Sequence, residues 1–385
     1  MAFLYLDYAA ATPLDVRAKK AMEPFLSLKY GNASSLHLKG KEARQALDGA
    51  RERVAQVLEV QPRTIVFTSG ATESNNLVIQ GVARAHRTRG NHIIISAIEH
   101  PSIDETVVAL EREGFRVTRI PVGVNGIVSV EEVIKAVTTK TILVSVMYVN
   151  NEVGTIQPIH QISKALRKRR MSNGDVGPFF HTDASQAANY LDIRPAKLGV
   201  DLLTLSGGKI YGPKGTGVLY IRSGITLESL MYGGGQEWGL RSGTESVAGA
   251  VGFSCALEIT QKMFEKESKR LAVLRDDFFK KLLKIPGVRI NGDTAKRIAN
   301  NVNISLPGLD GEAMVIYLDA RGVGVSTGSA CSSTKKESSR VLAAMGLSVD
   351  EIEGALRFTL GRSTKKSDIN TAIKAIIHVR ATLMK

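Results

Sequence analysis

Lys209 stands in the run Ser206-Gly207-Gly208-Lys209-Ile210-Tyr211-Gly212-Pro213-Lys214-Gly215, directly after the apolar stretch Asp201-Leu202-Leu203-Thr204-Leu205. A lysine at a strand end, uncrowded by its glycine neighbours, suits a Schiff base to an aldehyde cofactor. Desolvation can depress the pKa of such a lysine until the neutral, nucleophilic amine is accessible. Taken alone, the segment fits a surface lysine in a glycine-rich turn equally well. Other polar clusters bear on the choice. Thr68-Ser69-Gly70-Ala71-Thr72-Glu73-Ser74-Asn75-Asn76 leaves an apolar run and opens a helical one, so its hydroxyls and backbone N–H groups can cradle a phosphate. Glu99-His100-Pro101, Asn150-Asn151-Glu152 and His181-Thr182-Asp183-Ala184-Ser185-Gln186 each follow a further apolar run.

Those runs are the elements that must position the chemistry. Strand-like segments at 64–68, 92–97, 141–149, 179–182, 201–205 and 217–221 alternate with amphipathic stretches at 75–89, 102–113, 129–137 and 159–169. Continuous apolar strands separated by helices predict a mostly parallel sheet covered on both faces. In such a sheet ligands gather outside the carboxyl ends of the strands, where the five polar clusters lie. After a long helical pattern at 245–283, shorter strands (288–290, 301–305) and helices (311–320, 339–345, 366–384) predict a smaller α+β domain. A chain of 385 residues also exceeds the size at which one core usually keeps growing.

Composition bounds the alternatives. Hydrophobic residues are 43% and charged residues 23%, as in an ordinary globular protein. No stretch reaches a membrane-spanning length, and Met1–Asp7 lacks a basic n-region, so the expected location is the cytoplasm, with no membrane partner. Two cysteines, Cys255 and Cys331, allow neither a disulfide framework nor a thiolate-rich metal site, and no catalytic metal is expected. The net charge of +14 favours acidic partners or nucleic acid. Its densest basic run, 164–170, is explained by a solvated helix end or by a docking patch. His86, His92 and His160 have no ligand spacing and read as surface or satisfied histidines. Cys255, on an apolar helix, reads as a buried small hydrophobe.

A phosphate cradle, an aspartate, a histidine and a lysine together are what pyridoxal phosphate chemistry requires. At these residues the chain resembles the cysteine desulfurases of the iron–sulfur-cluster and nitrogen-fixation type, within the class V aminotransferase family. The resemblance runs nearly end to end. It takes in Tyr5-Leu6-Asp7-Tyr8-Ala9-Ala10, Gly31-Asn32-Ala33-Ser34-Ser35-Leu36-His37, the 69–76 segment, Glu99-His100-Pro101 and Asn150-Asn151-Glu152-Val153-Gly154. It continues through 181–186, 209–215, 233–244, 326–331 and Arg357-Phe358-Thr359-Leu360-Gly361-Arg362.

The resemblance implies an α/β, aspartate-aminotransferase-like fold of type I. Its large domain (15–258) would carry a mostly parallel seven-stranded sheet, and a smaller α+β domain (1–14 and 259–385) would carry the catalytic cysteine. It implies pyridoxal 5'-phosphate on Lys209, with Asp183 on the pyridine nitrogen, Gln186 on the phenolic oxygen and His100 stacked on the ring. Thr72 and Ser206 would hold the phosphate with Thr244 of a second subunit. Asn151 would lie beside cofactor and substrate, and Arg357 would fork onto the substrate carboxylate. Cys331, in Ser-Thr-Gly-Ser-Ala-Cys-Ser-Ser-Thr-Lys-Lys, would take sulfur from L-cysteine as a persulfide, leaving alanine.

A homodimer and a sulfur-acceptor protein are the implied partners. An iron–sulfur scaffold, a tRNA-thiolation relay or a DNA-phosphorothioation system all fit that role, and direct nucleic-acid binding is not expected. His37 would shape the site entrance. A selenocysteine lyase, or a degenerate homologue serving as a docking platform, are the competing readings. Three positions depart from the family: Gly208 where histidine usually precedes the lysine, Ala33 for proline, and Trp238 for arginine. Loss of a phosphate contact at Gly208 predicts weaker cofactor retention.

Overall fold

The computed structural model describes residues 3–173, 177–327 and 338–384. A two-residue strand β1 (Leu4–Tyr5) opens the chain. The main sheet is built from β2 (Ile65–Thr68), β3 (His92–Ser96), β4 (Arg116–Ile120), β5 (Thr141–Ser145), β6 (Phe179–Asp183), β7 (Leu202–Ser206) and β8 (Gly217–Ile221). It has seven strands in the order β2-β8-β7-β6-β5-β3-β4, with only β8 running against its neighbours. Strand alternation explains the continuous apolar runs. Ile93, Ile95, Val66 and Leu219 face one layer, with helices Ala71–Ala85 and Pro101–Arg112, while Ile94, Ile65 and Val218 face the other.

A separate three-stranded sheet, β12-β10-β9, follows from β9 (Arg289–Ile290), β10 (Asn301–Ser305) and β12 (Ala355–Thr359), while β11 (Val323–Gly324) pairs in parallel with β1. The N-terminal strand therefore belongs with the C-terminal region. The 36-residue helix Val247–Leu282 links the two parts, and the expected boundary at 258 falls inside it.

Among the elements that the sequence does not announce are a long helix and an edge strand. Helix Leu38–Leu58 buries Ala43, Leu47, Ala50, Val54 and Leu58 at helical spacing, a stripe with two alanines among its five residues and flanked by the buried Arg51. Strand β4 is an edge strand whose sequence, Arg-Val-Thr-Arg-Ile, leaves both arginines exposed. The 141–149 run ends as a strand at Ser145, freeing 146–151 to carry polar groups over the sheet edge.

Candidate active site

Because β2, β3, β5, β6 and β7 run the same way, their carboxyl ends share one edge of the sheet. The reversed β8 brings its first residue, Gly217, to that edge, in register with Thr68 on one side and Ser206 on the other. A Cβ at Gly217 would lie 2.7 Å from the Gly70 backbone, so only glycine lets the start of helix Ala71–Ala85 close against β8. Thr72 and the helix N-terminus thus stand beside Ser206, an arrangement of hydroxyls and N–H groups suited to an anion.

Asp183 ends β6. Its carboxylate accepts from Asn75 Nδ2 (2.8 Å) and from the Ser185 backbone N–H (2.9 Å). Asn75 Nδ2 also reaches Ser102 Oγ (2.9 Å), and Ser102 Oγ lies 2.8 Å from His100 Nδ1. One hydrogen-bonded chain therefore joins the aspartate to the histidine. His100 caps helix Pro101–Arg112, accepting from the Ser102 backbone N–H. Desolvation pushes its pKa below the ordinary value; the Asp183 charge works against this, and Lys209 works with it. His181, on β6 beneath Asp183, is fully buried between Ser145 and Thr204, and desolvation takes it down to about 4, so it is neutral at pH 7.

Lys209 closes a short 3₁₀ turn (Gly207–Lys209) after β7, and its Nζ donates to the carbonyls of Ala9 (2.8 Å) and Ala10 (2.6 Å). Gln186 Nε2 donates to the same Ala9 carbonyl (3.0 Å). The N-terminal segment thus gathers the lysine and the glutamine. Arg357, on β12, is buried; Nη2 pairs with Asp7 (2.8 Å) and Nη1 donates to the Asn151 carbonyl (3.1 Å). Lys209, Asp183, His100, Gln186, Ser206, Thr72, Asn151 and Arg357 all lie on elements meeting at this edge. Thr244 is exposed on the chain surface, and no contact ties it to that group.

Cys331 lies outside the described residues, but both flanks of its segment are fastened to the site. Ser326 exchanges two backbone hydrogen bonds with Arg357. Ser339 donates to the buried carboxyl of Glu152 (2.5 Å), whose pKa desolvation raises, and Arg340 pairs with Asp104 and Glu105 on the helix that His100 caps.

Several buried polar atoms at this edge have no partner among the described residues: Asn75 Oδ1, Ser185 Oγ and Arg357 Nε. Unpaired polar groups at a strand-end cleft fit a polar, anionic ligand such as pyridoxal phosphate with a carboxylate substrate. Asn75 carries no role in the sequence reading, although it shares a buried helical stripe with Val78, Ile79 and Val82, where a polar residue asks for a reason. Asp7 lies in a quoted motif, yet only tertiary structure reveals its pairing with Arg357.

The remaining expectations divide. His92 is buried and bridges Thr141 and Thr118, while His86 and His160 meet the carbonyls of Thr226 and Lys197. His37 caps helix Leu38–Leu58. In the 164–170 run, Arg169 and Arg170 turn inward, onto the Val137 carbonyl and onto Asp201, as a helix end does. Cys255 is half-buried rather than buried, because it lies at the rim of its helix's packed face. Trp238 sits at φ +62°, 60% exposed, beside Glu237 at φ +47°. The buried Glu237 pairs with Arg51 (2.6 Å), whose guanidinium lies 5.2 Å from the Trp238 ring centre.

The chain belongs to the class-V aminotransferase family, whose profile matches residues 4–371. Within it, the chain is 44% identical over 374 residues to the protein named cysteine desulfurase IscS of Dictyoglomus turgidum, covering 97% of this chain and 93% of that one. Among solved structures it is similar to a NifS-like protein (36% identity, TM-score 0.92, covering 99% and 100% of the two chains). It is also similar to SspA in complex with cysteine (34% identity, TM-score 0.80, covering 93% and 98%).

Proposed function

We propose that this protein is a pyridoxal-phosphate-dependent cysteine desulfurase that converts L-cysteine to L-alanine and carries the released sulfur as a persulfide on Cys331. The observation that carries the reading is the hydrogen-bonded chain from Asp183 through Asn75 and Ser102 to His100, with Lys209 and Gln186 gathered on the Ala9 carbonyl at adjoining strand ends, backed by the unpaired donor on Arg357. The IscS-type relatives and the cysteine-bound neighbour support the substrate.

Lys209 would hold the cofactor aldehyde, Asp183 its pyridine nitrogen, Gln186 its phenolic oxygen, and Thr72 with Ser206 its phosphate. Bound there, the cofactor supplies an electron sink that activates bonds at the substrate Cα and Cβ. Everything else falls to side chains. Arg357 orients the substrate carboxylate, already braced by Asp7 and the Asn151 carbonyl, and Asn151 flanks the bound substrate. His100, its Nδ1 engaged by Ser102, keeps its ring face for stacking and Nε2 for proton exchange. Lys209 moves the Cα proton. The Cys331 thiolate attacks the substrate sulfur; an S–S bond forms as Cβ–S breaks, and the electron pair passes to the carbon skeleton, which is protonated to alanine. Cysteine plus enzyme thiol thus give alanine plus enzyme persulfide, with no outside oxidant.

Residues 15–258 act as the cofactor-holding unit, and 1–14 with 259–385 as the unit carrying Cys331. The protein works in the cytoplasm as a homodimer in which Thr244 completes the partner's phosphate site. The exposed Leu26, Leu28, Tyr30 and Leu36 support an apolar subunit contact. The sulfur passes to an acceptor protein. Among the described residues no helix is long and apolar enough to cross a membrane. The test is spectroscopic and chemical: purified protein should be yellow and release alanine from L-cysteine. A Lys209→Ala protein that still carries covalently bound cofactor would defeat the assignment.

A further inference from the structure

The backbone around Lys209 is held more completely than a turn requires. Four consecutive carbonyls each accept a hydrogen bond from a different residue distant in the sequence. Gly208 O accepts from Thr12, both backbone N–H and Oγ1 (3.0 Å each). Lys209 O accepts from Asn189 Nδ2 (2.5 Å), Ile210 O from Thr260 Oγ1 (3.1 Å), and Tyr211 O from the Asp15 N–H (2.9 Å). The turn is also strained, for Tyr211 lies at φ +60°, a left-handed conformation that an aromatic side chain adopts only when its surroundings impose it.

One residue stands behind two of these contacts and holds the Tyr211 side chain as well. The Arg362 guanidinium lies 3.9 Å from the centre of the Tyr211 ring, and its backbone N–H donates to the Tyr211 hydroxyl (2.9 Å). Its Nη1 pairs with Asp15 (2.9 Å) and its Nη2 donates to Thr260 Oγ1 (2.8 Å), the same hydroxyl that donates to Ile210 O. Arginine suits this task because its planar fork stacks and donates in two fixed directions at once. Among the described residues, Arg362 itself touches neither Lys209 nor any other group placed in the site.

We propose that Arg362 is a positioning residue for Lys209: by clamping Tyr211 in its left-handed turn, it fixes the point and direction at which the lysine leaves β7. The C-terminal region would thereby hold the amine that the large unit uses. The proposal rests on Lys209 being the cofactor-bearing lysine.

The experiment follows covalent attachment of pyridoxal phosphate to the full-length apoprotein, read by absorbance and by borohydride trapping with mass mapping. It is accompanied by a pH titration of holoenzyme absorbance and by melting curves. Arg362→Ala should slow attachment tenfold or more and shift the absorbance titration, and Arg362→Lys should fall between. Tyr211→Gly added to Arg362→Ala should bring attachment back to within about threefold of the wild type, because glycine adopts positive φ without a clamp. A lowered melting temperature with attachment and titration unchanged would overturn the proposal, as would failure of Tyr211→Gly to restore attachment. If Arg362→Ala does not fold, Arg362→Lys alone decides by the same two readouts. Lys209→Ala is the separate control: an adduct mapped to another lysine would refute the Lys209 reading itself, whatever Arg362 does.

Discussion

Replacing Glu99 by glutamine should flatten the fall of stability with rising pH. The Glu99 carboxyl is buried at the root of the site. Its Oε1 accepts from Ser96 Oγ (2.5 Å) and the Met147 N–H (2.8 Å), and Oε2 has no partner among the described residues. Both donors point at one oxygen, so the proton sits on the other, and Glu99 is a neutral acid at pH 7. Desolvation is the main cause, with the Asp183 charge adding to it, and the pKa is pushed up from 4.5 to about 8. A carboxyl whose folded pKa exceeds its unfolded value stabilises fully below the unfolded value and loses that contribution as pH rises through the folded one. At 1.36 kcal/mol per pKa unit, the loss from Glu99 between pH 5 and 8 is about 3 kcal/mol. Glutamine copies the protonated acid and cannot ionise. In urea unfolding of the apoprotein, wild type and Glu99→Gln should therefore match within about 1 kcal/mol at pH 5 and diverge by about 3 kcal/mol at pH 8, with the variant more stable. Other titrating groups cancel in the difference. Parallel profiles across that range would refute the burial argument.

Gly208→His should tighten cofactor binding about five- to thirtyfold, measured by equilibrium titration of the apoprotein, since one added hydrogen bond to a charged phosphate is worth about 1–2 kcal/mol. The space is there: a Cβ at Gly208 would meet only Lys214, at 3.6 Å or more. Asp183→Asn removes the charge that holds the His100 pKa up, so an NMR titration should show His100 deprotonating at still lower pH; an upward move would contradict the geometry. Arg51→Ala leaves Glu237 buried without its partner and should cost about 3–5 kcal/mol in unfolding experiments. It should also change the emission of Trp238, the chain's single tryptophan, which packs against that guanidinium.

The strand ends that carry the site could be read from sequence because apolar runs stop abruptly at polar residues. Thr68, Asp183 and Ser206 close β2, β6 and β7, and each marks a run's end. Lys209 and His100 stand out in the sequence as polar residues just past the ends of apolar runs, whereas Arg357 is singled out only by the family resemblance. The supporting groups were not legible. Asn75, Thr12, Asn189 and Asp7 act through partners 20 to 350 residues away, a relation no local pattern encodes. The alanine-rich stripe of Leu38–Leu58 and the charged edge strand β4 were missed because their apolar signal is weak even though their tertiary packing is firm.

The central claim is tested most directly by counting products. Holoenzyme given L-cysteine without reductant should release one alanine for each persulfide formed, and mass mapping should place that persulfide on Cys331. Lys209→Ala should give neither product, and Cys331→Ser should give no persulfide. Persulfide formed at full rate by Cys331→Ser, or alanine released at full rate by Lys209→Ala, would contradict the account.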